Sequence, residues 1–270
     1  MPVSYPKSVL LWPQGTPGAL GDSPEDKPYL LPFLLPPSAA PHACVVVCPG
    51  GGYERRAPHE ADPIALWLNA AGFSALVLHY RVAPYRHPQP LKDAQRAIRL
   101  ARVNAADWNI DPDRIAILGF SAGGHLAAST AVLWDRGDPS SPDFPARQSS
   151  RPDALVACYP VITFGKERHN GSMVALLGRK PDKELRKLLS LQNGVTPETP
   201  PAFLWHTADD AGVPVANSLL FATALGRCKV PFELHVFPHG RHGLGLAEGD
   251  SVVGTWPGLC ASWLRRTLKA

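Results

Sequence analysis

A short segment near the middle of the chain constrains the fold more than any other feature. Residues 115–120 form an apolar run typical of a buried strand, and residues 122–131 are mostly small, as in a closely packed helix. Between them lies Ser121, with Gly119 and Gly123 on either side in a Gly-x-Ser-x-Gly turn. This order predicts a nucleophile elbow, in which a strained turn leaves the serine hydroxyl exposed. We therefore predict Ser121 as a catalytic nucleophile; the alternative is a serine that only caps the helix.

The composition is that of an ordinary globular enzyme. The chain has 270 residues, 45% hydrophobic and 19% charged, which suits a single α/β domain over residues 1–270. The net charge is only +4, and no run of lysine or arginine is present to follow a phosphate backbone, so nucleic acid is not an expected partner. Apolar runs are strand-sized and no secretory signal is visible, so we expect no membrane span and a cytoplasmic location. The five cysteines are expected to be free thiols, most of them buried.

Strand and helix patterns alternate along the chain. This alternation predicts an α/β fold with a mostly parallel sheet flanked by helices. The proline-rich residues 1–40 are expected to form an irregular arm, with an edge hairpin near residues 29–35. Residues from about 160 to 200 are expected to form a small cap over the site. The predicted strands, besides the one before Ser121, are residues 43–48, 73–80, 154–159, 202–206 and 232–237, and the predicted helices, besides the one after it, are 60–71, 91–108, 183–192, 215–227 and 255–268.

Two places downstream of Ser121 can supply the groups that a serine nucleophile needs. A serine hydroxyl requires a general base, and the base requires an acid that orients it. Asp209 and Asp210 follow the predicted strand 202–206, so a carboxylate stands at the carboxyl end of that strand. His242 lies in a glycine-rich loop after the strand 232–237 and is the candidate base. The order Ser, acid, His is that of α/β-hydrolases.

Four segments together resemble one family. They are Pro-Gly-Gly-Gly-Tyr at 49–53, the elbow at 119–127, the run from His206 to Ser218, and Arg-His-Gly-Leu-Gly-Leu-Ala at 241–247. In this order they resemble the α/β-hydrolase esterases, most closely the small acetyl-esterase and acetylxylan-esterase-like branch, also described as feruloyl-esterase-like. The resemblance covers nearly all of the chain from about residue 40. It implies an α/β-hydrolase fold with a small cap or loop insertion.

The resemblance also assigns the catalytic groups. It implies Ser121 as nucleophile and His242 as general base and then general acid. It implies Asp210 as the acid, because the family places this residue three positions before a Val-Pro pair, here Val213 and Pro214. Asp209 remains the second candidate, and its alternative role is to cap the following helix.

The glycines after Pro49 suit the next requirement of acyl transfer. Backbone amides without a side chain in the way can approach the negative oxygen of a tetrahedral intermediate. By resemblance to the glycine-rich loop of these esterases, the oxyanion hole is expected from Gly51, Gly52 and Ala122. Proline precedes the glycines where many relatives have histidine, a feature that the acetyl-esterase branch shares. The alternative is a flexible glycine turn; a phosphate-binding loop is excluded because no Gly-Lys-Ser/Thr follows.

Four further sets of residues can be interpreted from the sequence: Tyr53, Trp205, His125, and the pair Arg81 and Asp93. Tyr53 and Trp205 are candidates to line the acyl or alcohol pocket, although aromatic residues in such places are equally often core. His125 is expected to pack or to form a hydrogen bond rather than act as a second base. Arg81 and Asp93 are expected to form a charged pair that pins a loop.

The histidines near the end of the chain have a spacing that could suggest a metal site. His235, His239 and His242 follow one another at intervals of four and three residues. Pro238 and neighbouring glycines interrupt any regular face, and no carboxylate is close in sequence, so we expect no metal. No cofactor is expected either.

These expectations combine into one function with two alternatives. We expect a serine carboxylic-ester hydrolase that removes short acyl groups, acetyl above all, from a small-molecule or oligosaccharide ester. Xylan or xylo-oligosaccharides as the carbohydrate follow from the resemblance alone. The alternatives are an amide hydrolase of the same fold, peptidase-like or formamidase-like, and a catalytically silent binding protein. The oligomeric state is left open by the sequence.

Overall fold

The computed structural model describes residues 7–270, which build an eight-stranded sheet with helices on both faces. The strands lie in the order β1-β2-β4-β3-β5-β6-β7-β8. The pairs β1–β2 and β2–β4 are antiparallel, and every pair from β4 to β8 is parallel, as the alternation of strands and helices predicts. The strands are β1 (Val9–Leu10), β2 (Tyr29–Phe33), β3 (His42–Cys48), β4 (Ser74–His79), β5 (Ile110–Phe120), β6 (Ala154–Cys158), β7 (Ala202–Thr207) and β8 (Phe232–Phe237).

Helices cover the sheet from both sides. The α-helices are α1 (Asp62–Ala70), α2 (Gln89–Val103), α3 (Ser121–Val132), α4 (Asn170–Leu177), α5 (Lys183–Leu188), α6 (Ala216–Arg227) and α7 (Trp256–Leu268). Helices α2, α3 and α6 pack on one face, and α1 and α7 pack on the other. Because both faces are covered, successive residues of a central strand are buried in turn, as Val45, Val46 and Val47 are on β3.

Three predicted helices differ from the structure by two residues or more at one end. The helix predicted from residue 60 begins at Asp62, because Pro58–Glu60 form a separate 3-10 turn. Helix α2 ends at Val103 rather than at residue 108, and Asn109, with a φ of 49°, turns the chain into β5. The helix predicted over 183–192 is divided into α5 and a 3-10 turn, Leu191–Asn193.

The N-terminal arm is more regular than its sequence suggests. Strands β1 and β2 extend the sheet beyond β4: β2 lies where an edge hairpin is expected, whereas the expectation of irregular structure is wrong for β1. They do not form a tight hairpin, since residues 11–28 separate them, and residues 1–6 lie outside the described part of the chain. The predicted pair of Arg81 and Asp93 is confirmed: both side chains are fully buried and joined by bonds of 2.9 and 2.7 Å. Arg81 also donates to the carbonyl oxygen of Pro17, and Trp12 donates to Asp93, so the pair holds the arm in place.

The segment between β6 and β7, in which a cap is expected, contains α4 and α5. All five cysteines are free thiols, four of them buried and Cys228 half-buried. Within residues 7–270, none of the helices has the length and apolarity that a membrane span requires.

Candidate active site

Ser121 stands at the junction of β5 and α3. Its φ is 52°, in the left-handed region of backbone conformation that residues other than glycine rarely adopt. The turn is closed so tightly that a Cβ atom on Gly123 would lie 2.1 Å from the carbonyl oxygen of Cys48. A Cβ on Gly119 would lie 2.1 Å from the carbonyl oxygen of Gly123. The two glycines therefore permit the close approach of β3, β5 and α3 that holds Ser121 in its strained conformation.

Three side chains from three different loops meet at this turn. Ser121 Oγ lies 2.8 Å from His242 Nε2, and His242 Nδ1 lies 2.7 Å from Asp210 Oδ2. In the neutral imidazole that this arrangement suits, Nδ1–H donates to Asp210 and Nε2 accepts the hydroxyl proton of Ser121. The line of hydrogen bonds can thus take a proton from the serine as it attacks.

Asp210 lies in a pocket that stabilises its negative charge. Its Oδ1 accepts hydrogen bonds from the amides of Gly212 at 2.8 Å and Val213 at 2.9 Å. Burial raises the pKa of Asp210, but the hydrogen bonds from His206, His242 and the Val213 amide outweigh it and hold the pKa well below its usual range. The carboxylate is therefore ionised at neutral pH.

Asp209, the second candidate for the acid, is turned to a different partner. Its Oδ2 lies 2.9 Å from His239 Nδ1, and its Oδ1 accepts a hydrogen bond from the Gly240 amide at 2.8 Å. It does not cap the following helix, since α6 has no side-chain cap at its start. The side chain of Asp209 instead ties the exposed loop after β8 to the end of β7.

The amides of Gly51, Gly52 and Ala122 border the nucleophile. Gly51 and Gly52 line the same cleft as Ser121, with φ values of 123° and 71°. The Ala122 amide belongs to the first turn of α3, where backbone amides have no acceptor within the helix. Within residues 7–270, none of these three amides donates a hydrogen bond to a protein acceptor. This arrangement is compatible with the oxyanion hole that the resemblance implies.

The cleft has a volume of about 360 Å³. Besides the residues already described, it is lined by Ala57, Gly243 and the polar or charged residues Glu54, Arg55, His59, Glu60, His169 and Arg241. His169 comes from the segment between β6 and β7, where burial and the neighbouring His242 lower its pKa. No large apolar side chain is among these lining residues, so the cleft suits a small acyl group and a polar alcohol.

The two aromatic residues expected to line the pocket lie elsewhere, and that expectation is corrected. Trp205 is 0% exposed and packs in the core against Trp256 and Tyr159. It belongs to β7, whose two faces are both covered, so it has no route to the cleft. Tyr53 is 1% exposed, and its hydroxyl is hydrogen-bonded to His125 Nδ1 at 2.8 Å.

The remaining histidines have structural contacts. Burial lowers the pKa of His125 to about 4, and its Nε2 donates to the carbonyl oxygen of Leu189 at 2.9 Å. His235 packs against Phe203, and His239 pairs with Asp209, so neither points at His242 as a shared ligand set would require. Over residues 7–270, no three His, Cys, Asp or Glu side chains form a group that could hold a metal ion.

The sequence did not identify three residues that contact the catalytic groups or the loop beside them. His206 contacts Asp210, Tyr159 packs against the His242 ring, and Glu60 bonds the amide of Gly50 beside the nucleophile. His206 precedes Asp210 by only four residues, but Tyr159 and His242 are far apart in sequence, as are Glu60 and Tyr159.

Comparison with known proteins gives the family. Residues 31–225 match the BD-FAE family. The endo-1,4-beta-xylanase B of Butyrivibrio fibrisolvens is 42% identical over 219 residues, covering 80% of this chain and 34% of that protein. The acetylxylan esterase of Xylanibacter ruminicola is 32% identical over 240 residues, covering 87% of this chain and 46% of that protein. The chain therefore spans less than half the length of these two relatives.

Solved structures agree with the family match. The acetyl ester-xyloside bifunctional hydrolase from Caldicellulosiruptor lactoaceticus has a TM-score of 0.94 and 50% identity, over 98% of both chains. The carboxylesterase Cest-2923 from Lactobacillus plantarum WCFS1 has a TM-score of 0.74 and 27% identity, over 92% of this chain and 94% of that one. The predicted fold and the resemblance are thereby confirmed, and the chain belongs to the BD-FAE family of α/β-hydrolase esterases.

Proposed function

We propose that this protein is a serine esterase that removes short acyl groups, acetyl above all, from carbohydrate such as xylan or xylo-oligosaccharides. One observation carries the proposal. Ser121, His242 and Asp210 form a line of hydrogen bonds of 2.8 and 2.7 Å that opens into a cleft. A binding protein has no use for a nucleophile held in a strained turn beside a base and a buried carboxylate.

In the proposed reaction, Ser121 Oγ attacks the carbonyl carbon of the ester while His242 Nε2 takes the hydroxyl proton. The negative oxygen of the tetrahedral intermediate accepts hydrogen bonds from the amides of Gly51, Gly52 and Ala122. When the intermediate collapses, His242 gives the proton to the leaving alcohol, and the acyl group stays on Ser121. Water, losing a proton to His242, then attacks the acyl-enzyme. As the second intermediate collapses, His242 returns the proton to Ser121 Oγ and the acid leaves.

Two observations support acetyl esters of carbohydrate as substrates. The cleft of about 360 Å³ lacks large apolar side chains, so a long acyl chain would gain little from entering it. Polar side chains such as His169 and Arg241 also line the cleft and suit a hydroxyl-rich alcohol group. Relatives named for acetylxylan esterase and for acetyl ester-xyloside hydrolysis lead to the same class of substrate.

The proposal is tested by hydrolysis of nitrophenyl acetate, butyrate and octanoate, of acetylated xylo-oligosaccharide and of an arylamide. We expect activity that falls with acyl length, extends to the sugar acetate and is low on the arylamide. Ser121→Ala should abolish the activity and prevent labelling by a fluorophosphonate probe. Ser129→Ala, which alters a buried serine on the same helix α3, is the matched control and should retain both.

Each contrary result has a distinct meaning. Ester hydrolysis that survives in Ser121→Ala would show that the elbow is not the active site. Faster cleavage of the arylamide than of nitrophenyl acetate would favour the amide hydrolase. Failure of the folded wild-type protein to label with the probe would favour a silent binding protein.

A further inference from the structure

A buried glutamate at the wall of the cleft has hydrogen-bond partners in two separate parts of the chain. Glu60 is 2% exposed and ends the 3-10 turn that precedes α1. Its Oε2 accepts a hydrogen bond from the Gly50 amide at 2.8 Å, and its Oε1 accepts one from the Tyr159 hydroxyl at 2.6 Å. Because a buried carboxylate is costly unless its oxygens accept hydrogen bonds, both partners are held close to Glu60.

Tyr159 extends this connection to the loop that carries His242. Its hydroxyl donates to Glu60 and accepts a hydrogen bond from the Gly245 amide at 2.9 Å. The tyrosine ring packs edge-on against the His242 ring, with 5.1 Å between centroids. Burial, together with the charge of Glu60, raises the pKa of Tyr159 well above its usual range, so the hydroxyl keeps the proton that it donates.

The two ends of this hydrogen-bond chain lie next to the reacting groups. Gly50 immediately precedes Gly51 and Gly52 and is so close to the nucleophile that a Cβ on it would lie 3.1 Å from Ser121 Cβ. At the other end, Gly245 follows His242 by three residues, and its carbonyl oxygen accepts a hydrogen bond from Trp256 Nε1 at 3.0 Å. The amide and the carbonyl of Gly245 are therefore both held.

We propose that Glu60 and Tyr159 are positioning residues. They set the oxyanion loop, residues 49–53, and the histidine loop, residues 238–247, at the correct distance from each other across Ser121. The inference rests on the proposed esterase function and adds to it. The two loops are far apart in sequence, and the chain from the Gly50 amide through Glu60 and Tyr159 to the Gly245 amide joins them through buried side chains. A displacement of reacting groups by about 1 Å can cost about 100-fold in rate, which makes such a connection consequential.

The chain contains a matched control for this arrangement. Tyr85 also donates a hydrogen bond from a buried hydroxyl to a buried carboxylate, that of Asp26, and neither residue lines the cleft. Tyr159→Phe and Tyr85→Phe thus remove the same kind of bond at two places. Glu60→Gln and Asp26→Asn form a second pair, which replaces each carboxylate by an amide of the same shape.

The experiment compares these four variants with the wild-type protein on nitrophenyl acetate and with phenylboronic acid, a tetrahedral adduct former at the serine. We expect Tyr159→Phe and Glu60→Gln to lower kcat by about 10- to 100-fold with KM nearly unchanged, because substrate binding does not require the two loops to be aligned. The inhibition constant of the boronic acid should rise with the loss of kcat. Tyr85→Phe and Asp26→Asn should lose stability to a similar extent but retain kcat and boronic acid binding.

Concentrations are taken from fluorophosphonate titration of active serines, so a variant that folds poorly is still measured on its folded fraction. Equal losses of kcat in Tyr159→Phe and Tyr85→Phe would overturn the proposal. So would an unchanged kcat in Tyr159→Phe, or an unchanged kcat in Glu60→Gln. Absence of ester hydrolysis by the folded wild-type protein would instead overturn the proposed function.

Discussion

His206 and His242 both lie at Oδ2 of Asp210: His206 Nε2 is 3.4 Å from this oxygen and 2.9 Å from the carbonyl oxygen of Val213. A carbonyl oxygen only accepts, so Nε2 carries the proton. Nδ1 lies 2.8 Å from Ser218 Oγ and accepts its hydrogen bond in the neutral ring. His206 thus presents an N–H group to the carboxylate that orients His242.

Replacing His206 by leucine should lower kcat/KM by about tenfold. A hydrogen bond to a charged group contributes about 1.5 kcal/mol, which corresponds to that factor in rate if it is lost in the transition state. The loss is moderate because the amides of Gly212 and Val213 still hold Asp210. Steady-state kinetics test this, with Ser218→Ala as a milder change that leaves the ring in place. Unchanged kcat/KM in His206→Leu would show that the ring only fills space.

The two neighbouring aspartates should respond very differently to the same change. Asp210→Asn should lower kcat/KM by about 10⁴-fold, because the amide no longer fixes the imidazole in the tautomer that accepts the serine proton. Asp209→Asn should change kcat/KM only a few-fold, since its partners are His239 and the Gly240 amide on an exposed loop. Assaying the two variants side by side on nitrophenyl acetate decides which aspartate is the acid that orients His242. A larger loss in Asp209→Asn would assign the acid to Asp209.

Those parts of the fold that depend on local pattern could be predicted from the sequence. Apolar runs such as residues 43–48 mark the central strands because these are buried on both faces, and the Gly-x-Ser-x-Gly turn marks the elbow because only glycine permits its close approaches. Candidates for the site, such as Ser121, Asp210 and His242, follow predicted parallel strands. Because the carboxyl ends of parallel strands lie at the same edge of a sheet, these residues can be expected to meet.

Contacts between distant residues could not be predicted in this way. Trp205 resembles a pocket residue because it nears the end of a strand, but the covering of both faces of β7 places it in the core. The helix predicted over residues 60–71 begins with Glu60, but the partners of the buried carboxylate are Gly50 and Tyr159, which no local pattern connects to it. Side-chain direction and partner choice are decided by the assembled sheet.

Gly123→Ala should abolish the native elbow. The added Cβ would lie 2.1 Å from the carbonyl oxygen of Cys48, and neither of these backbone segments can move away without breaking the sheet or α3. Gly258→Ala on α7 is the matched control, because nothing lies within 4 Å of the Cβ position there. Thermal unfolding should show a large loss or no folded protein for the first variant and a gain of about 0.5 kcal/mol for the second. A stable Gly123→Ala protein with wild-type activity would contradict this account of the turn.

The stability of the protein should fall as the pH decreases from about 6.5 to about 4, in part because of His125. Burial lowers the pKa of His125 to about 4, whereas in the unfolded chain it is about 6.5. Between these values the unfolded state binds more protons, so stability is complete above about pH 6.5 and is lost as the pH falls towards 4. The pKa difference corresponds to about 3 kcal/mol at most. His79, whose pKa is also lowered to about 4 by burial and by Arg56, acts over the same range.

Denaturant unfolding at pH values from 4 to 7 measures this contribution. His125→Gln cannot take up a proton, so the slope of unfolding free energy against pH should be smaller than in the wild-type protein, whatever the absolute stability of the variant. His79→Gln should reduce the slope independently, and the double variant should reduce it further, since the two residues lie on different elements. A wild-type slope in His125→Gln would mean that the buried ring accepts a proton in the folded state as readily as in the unfolded one.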